Sequence, residues 1–135
     1  MNWKRFVIAG FVASILFLLL DAIFGMLSGI IGQQVFGIPA SQPDSAKMTA
    51  GVLFELVNGF ILALIYAVIY TALPGKGWLK GISYALIVWG LRVVMWAFST
   101  YMMTNMSPVL ISITVVTGLI EMLVICIVIA AIYKE

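Results

Sequence analysis

Residues 6–32 read FVIAGFVASILFLLLDAIFGMLSGIIG, a run in which the one ionisable side chain is Asp21. A helix needs about 20 apolar residues to cross a hydrocarbon layer roughly 30 Å thick, so this run is long enough to span a membrane. It continues well past the roughly 7 to 15 apolar residues of a signal peptide and lacks a small-x-small cleavage site. It is therefore read as an uncleaved first helix. Three further runs of the same kind occupy 48–73, 78–103 and 108–133. The breaks between them carry helix-stopping and capping residues: Gly37, Pro39, Pro43 and Asp44 in 33–47, then Pro74-Gly75-Lys76-Gly77, then Thr104-Asn105-Met106-Ser107. The expected fold is all-α: a polytopic membrane protein with one four-helix transmembrane domain over 1–135, arranged as an antiparallel bundle. The 33–47 segment, with Gln33, Gln34, Ser41, Gln42 and Ser45, is expected to be a polar connector with room for a short interfacial helix. A lid or a partner contact is the alternative.

Composition agrees with lipid as the solvent. Of 135 residues, 64% are hydrophobic and 9% charged, against about 25% charged in an ordinary soluble domain. A mean hydropathy of +1.22 excludes a soluble monomer. The chain has no histidine and one cysteine, Cys126, set in an apolar run. A Cys/His metal site, a histidine-held haem, a Ser-His-Asp triad, a disulfide framework and a CxxC pair are all excluded, and neither a cofactor nor a metal is expected. Cys126 is read as a small packing residue. Nucleic-acid binding has no basic surface to support it.

The basic residues orient the chain. Lys4 and Arg5 precede the first helix, Lys76 and Lys80 flank the second turn, and Lys134 follows the fourth helix, all on one side of an alternating bundle. Lys47 stands alone on the other side. The positive-inside rule then places both termini in the cytoplasm and the protein in the cell (inner) membrane. Trp3, Trp78, Tyr70 and Tyr133 fall at the predicted cytoplasmic boundary and Tyr101 near the outer one, as an aromatic belt requires.

A tandem duplication of helical hairpins is a possible origin of the bundle. Gly10 precedes Asp21 by eleven positions, as Gly81 precedes Arg92. In the second helix of each hairpin, ELVNGFILALIY (55–66) aligns with EMLVICIVIAAIY (121–133) after a one-residue slip.

Each helix carries one ionisable residue away from its ends: Asp21, Glu55, Arg92 and Glu121. A charge at such depth costs at least about 2.5–3.5 kcal/mol on insertion scales, so it normally faces protein or water and finds a partner. Rise per residue puts Asp21, Arg92 and Glu55 about 20 Å, and Glu121 about 16 Å, from one end, close enough to share a layer. At 100° per residue each charge also shares its face with small and polar residues. Gly10, Ser14, Asp21, Gly25, Ser28 and Gly32 form one stripe; Gly51, Glu55, Asn58, Gly59 and Tyr66 form a second. Gly81, Ala85, Trp89, Arg92, Trp96 and Ser99 form a third, and Thr114, Thr117, Gly118 and Glu121 a fourth. Such faces are expected to point inward, with the Gly25-x-x-x-Gly29 spacing supporting close approach of the first helix.

Three acids and one arginine cannot all be charged and mutually neutralised. Arg92 is expected to pair with Asp21, Glu121 or both, leaving at least one carboxyl, with Glu55 the candidate, to carry a proton or face water. Trp89 and Trp96 flank Arg92 as core fillers or by stacking on its guanidinium. Glu55 and Asn58 are placed to form a polar pocket with Thr114 and Thr117.

The layer has three readings: a buried charge network that fixes helix pairing, a path for a ligand, proton or ion, or a set of groups paired with another subunit. The first implies a non-enzymatic structural or accessory subunit, in contact with copies of itself or a larger membrane protein. The second implies a small oligomeric transporter or channel binding a proton or cation at the carboxylates. An intramembrane enzyme would call for more nucleophiles or carboxylate-metal motifs than are present. The orientation is directly checkable in a Cys126→Ser background. A cysteine replacing Asn105 is expected to react with an impermeant maleimide on intact cells, and one replacing Lys76 only after permeabilisation; the opposite pattern reverses the topology.

Overall fold

The computed structural model describes residues 2–37 and 44–133, with Val35 and Phe36 described by their backbone alone. Pro39, Ser41, Gln42, Pro43, Lys134 and Glu135 lie outside the described residues. Four helices span Trp3–Phe36, Ser45–Ile69, Trp78–Met103 and Pro108–Ile132. Each contains a segment long and apolar enough to cross a membrane, which makes this a multi-pass membrane protein by length and composition. The first helix, 34 residues long, reaches about 50 Å, so it tilts or extends beyond the hydrocarbon layer.

Local chemistry sets the helix ends. The Asn2 side chain accepts the Arg5 N–H at 3.4 Å, the short polar oxygen satisfying an orphan donor of the first turn. Pro108 opens the fourth helix where a missing N–H costs nothing. Gly75 and Gly77 have φ of 94° and 57°, a region disfavoured for residues with a Cβ, and they turn the chain between the second and third helices. The second helix ends at Ile69, short of the expected Leu73. There the Lys80 ammonium donates to the Tyr70 carbonyl at 2.7 Å, a cation satisfying an acceptor just past the last turn.

The third helix is not uniform. After Trp78–Trp89 it opens into a π turn at Gly90–Val94, then resumes as α-helix at Met95–Met103. The Met95 N–H reaches the Gly90 carbonyl five residues back, so one extra residue is absorbed and the face rotates. The sequence stripe consequently breaks. Ala85 and Val88 are buried before the turn, but beyond it Ala97 is buried and Ser99 is exposed.

The first helix packs on the second, the third on the fourth, and the first on the fourth. Glycines set the closest approaches. A Cβ on Gly59 would collide with the Ser14 backbone, and one on Gly81 would lie 2.8 Å from the Ile127 Cα. Gly10 receives the Phe60 ring, and Gly118 receives Val93. Four tyrosines then join all four helices at one end. Tyr66 meets the rings of Tyr70, Tyr84 and Tyr133 edge-on, with centroids 5.7, 5.2 and 6.0 Å away. The Tyr84 hydroxyl donates to the Leu62 carbonyl at 2.8 Å, and the Asn2 N–H to the Tyr133 hydroxyl at 3.3 Å. Trp3, Trp78 and Tyr101 are exposed as belt residues would be, but Tyr133 is 2% exposed and belongs to the core.

Nearly all the buried residues lie toward this tyrosine end. No hydrophobic side chain is buried between Leu18 and Gln34 of the first helix, nor before Leu62 in the second. The expected tight packing through Gly25 and Gly29 is corrected: both are exposed, and among the described residues neither has an atom within 4 Å of a Cβ position, as also for Gly51. A small residue promotes contact only where a neighbour supplies the knob that fills it. Gly59→Leu and Gly81→Leu should therefore each cost about 1–3 kcal/mol or more by overpacking. Gly29→Leu should stay within about 0.5 kcal/mol. Thermal unfolding in one detergent compares all three, and an equal loss for Gly29→Leu would mean that the glycine face is closed.

Candidate functional site

Away from the tyrosine end the helices part, leaving an open cleft of about 470 Å³. Asp21, Gly25 and Ser28 line it from the first helix, and Phe54 from the second. Arg92, Val93 and Trp96 contribute from the third, and Thr114, Thr117, Gly118, Glu121 and Met122 from the fourth. Glu55 sits deeper, with a side chain 12% exposed, and its Oε1 lies 3.9 Å from the Arg92 Nη2. That separation is a loose ion pair without a direct hydrogen bond. The second oxygen of Glu55, the Nη1 of Arg92 and the Nδ2 of Asn58 are enclosed without a partner among the described residues. Asp21 and Glu121 line the same cleft as Arg92, so three carboxyl groups and one guanidinium occupy one region of the bundle.

The charged layer thus assembles, but not as a buried charge network. Among the described residues the buried polar side chain is Ser14; Asp21 is exposed, and Glu55, Arg92 and Glu121 are each partly exposed. The reason is the splaying of the helices, which leaves the layer facing a cleft instead of a sealed core. The arginine's observed partner is Glu55, whereas Asp21 and Glu121 were the expected ones.

The supporting residues divide between two places. Ser28, Thr114 and Thr117 line the cleft. The threonine hydroxyls donate to carbonyls of their own helix, Thr114 to Leu110 at 3.0 Å and Thr117 to Ile113 at 3.0 Å, and so turn lone pairs outward. Ser14 lies below the cleft, where its hydroxyl contacts the Gly10 carbonyl at 2.9 Å and the Leu56 carbonyl at 2.7 Å, tying the first helix to the second. Asn58 is partly buried beside Gly59 and does not line the cleft.

The flanking aromatics separate as well. Trp89 donates its indole N–H to the Val115 carbonyl at 3.0 Å, fastening the third helix to the fourth. Trp96 is exposed and lines the cleft, because the π turn between the two rotates them onto different faces. The ring beneath Arg92 is that of Phe17, with the guanidinium carbon 4.9 Å from its centroid. Phe17 precedes Asp21 by four residues, so helical spacing places it on the charged face, although its own side chain is apolar. Tyr66 shares a face with Glu55 yet lies about 16 Å farther along the helix, inside the tyrosine cluster.

The two helix pairs use corresponding residues alike. Gly10 and Gly81 each seat a close contact within their pair, and Asp21 and Arg92, eleven residues on, both reach the cleft. No family model, curated protein or solved structure matches the chain. Ser14→Ala removes an interhelical hydrogen bond without touching the cleft. It is expected to lower stability in detergent by about 0.6–1.5 kcal/mol. Any change in the properties of the cleft itself would contradict that placement.

Proposed function

We propose that this chain is a small, non-enzymatic transporter or channel of the cell membrane, in which Asp21, Glu55 and Glu121 hold a proton or cation and Arg92 sets the local potential. In this reading the helices form an antiparallel bundle of two tandem hairpins with both termini in the cytoplasm, as the distribution of lysine and arginine favours. One observation carries the proposal: Asp21, Arg92 and Glu121 line an open cleft of about 470 Å³, with Glu55 3.9 Å from the Arg92 guanidinium. A network kept only to fix helix pairing is best served by closed, fully satisfied geometry, because an incomplete polar network weakens a core. Here the Glu55–Arg92 pair is loose, and polar atoms of Glu55, Asn58 and Arg92 lack partners among the described residues. Ionisable groups facing an intramembrane cavity are the usual apparatus of ion and proton paths.

A second reading, the structural or accessory subunit, is favoured by a different feature. The outer parts of the first two helices expose Gly25, Gly29 and Gly51 with nothing against them, a face that a second copy or a larger membrane partner would cover. Proteoliposomes separate the two. Transport predicts pH-dependent flux that Glu121→Gln lowers at least tenfold while unfolding temperature and yield are kept. A complete lack of flux in the unmodified protein, with a stoichiometric partner retained on gentle extraction, would replace transport by the accessory role.

A further inference from the structure

We propose that the cleft takes an organic cation bearing N–H donors on an apolar, aromatic body, and that the Arg92 guanidinium occupies part of that site as a tethered substitute. The inference rests on the transport reading and adds the chemical class of the cargo. It starts from the inventory of donors and acceptors. Asp21 and Glu121 present carboxyl oxygens, and the hydroxyls of Thr114 and Thr117 have spent their protons on their own helix. Arg92 is the cationic donor of the lining, and Ser28 the hydroxyl with no partner among the described residues. A surface so rich in acceptors is satisfied by a guest that donates. Asp21 and Glu121 share the lining with a single guanidinium, and Glu55 lies 3.9 Å from it.

The seat of Arg92 shows what the site accommodates. Its guanidinium rests 4.9 Å from the centre of the Phe17 ring and 3.9 Å from a Glu55 oxygen, between an aromatic face and a carboxyl group. Both contacts stabilise a cation, the first through the ring quadrupole and the second by charge. Neither is tight, and Nη1 has no partner, so a free cation with better-placed N–H groups can displace it. Phe24, Phe54, Trp96 and Met122 supply apolar wall for the rest of the guest. The volume suits one small organic molecule. An inorganic ion held by several carboxylates fits less well, because no three such groups among the described residues converge as metal ligands do.

Phenethylamine, its N,N,N-trimethyl derivative and phenylacetate form a discriminating set. Binding to the purified, full-length protein in lipid nanodiscs is read by calorimetry and by the fluorescence of Trp96, with Trp96→Phe as the control for signal. Phenethylamine should bind at least tenfold tighter than the trimethyl derivative, which keeps the charge and lacks N–H, and phenylacetate should not bind. Glu121→Gln should weaken phenethylamine at least tenfold, and Arg92→Gln should tighten it by removing the substitute. Because Arg92→Gln risks misfolding, Phe17→Leu provides a second variant that removes the aromatic face of the shared seat: phenethylamine should bind more weakly, and unchanged binding would overturn the shared seat. Equal binding of the trimethyl compound would overturn the requirement for donors, and preference for phenylacetate would make Arg92 the receptor of an anion. Proton flux without binding of any probe would overturn the cargo class and leave the transport reading standing. Absence of both flux and binding would remove both.

Discussion

In lipid, two apolar helices gain little by touching, because acyl chains are as apolar as leucine. Association therefore depends on close backbone approach, interlocking shapes and hydrogen bonds between helices. This chain meets that requirement at one end of the molecule. Ser14 against Gly59, Phe60 against Gly10 and Ile127 against Gly81 bring paired helices together, and the Tyr84 hydroxyl reaches across to Leu62. Interlocked tyrosine rings complete the closure, with Lys80 lying 3.8 Å over the Tyr70 ring.

The open end follows from the same constraint. Gly25, Gly29 and Gly51 receive no knobs among the described residues, so the helices part and the ionisable layer is left at the boundary between a packed base and a cleft. Asp21, Arg92 and Glu121 stand where access is retained, with Glu55 against the guanidinium. The π turn refines this arrangement. By absorbing one residue at Gly90–Val94 it sends Trp89 toward the fourth helix, Trp96 toward the cleft, and Arg92 between Phe17 and Glu55.

Much of this was legible in the residues. The four spans emerged from hydropathy alone, and helical ends fell within a few residues of the breakers, the second helix excepted, where the Tyr70 carbonyl is capped by Lys80. The coming together of Asp21, Glu55, Arg92 and Glu121 was legible from depth and face, because both follow from a regular helix. Tyr66 shows the limit of the method: its face was correct, but eleven residues along a rod separate it from the charged layer. Ser99 shows a second limit. Its expected face assumed 100° per residue through a segment where the helix is a π turn, and no residue type in GLRVV announces that change.

The sequence by itself determined the solvent, the number of spans and the depth of the ionisable layer, since each depends on composition and on distance along a helix. Only the tertiary structure decided which small residues are filled and which are empty. That outcome depends on shape matching between segments distant in the chain, and a stripe of glycine reads the same whether or not a partner arrives. The difference is what turned an expected buried network into groups lining a cleft, with Glu55 and Arg92 held 3.9 Å apart.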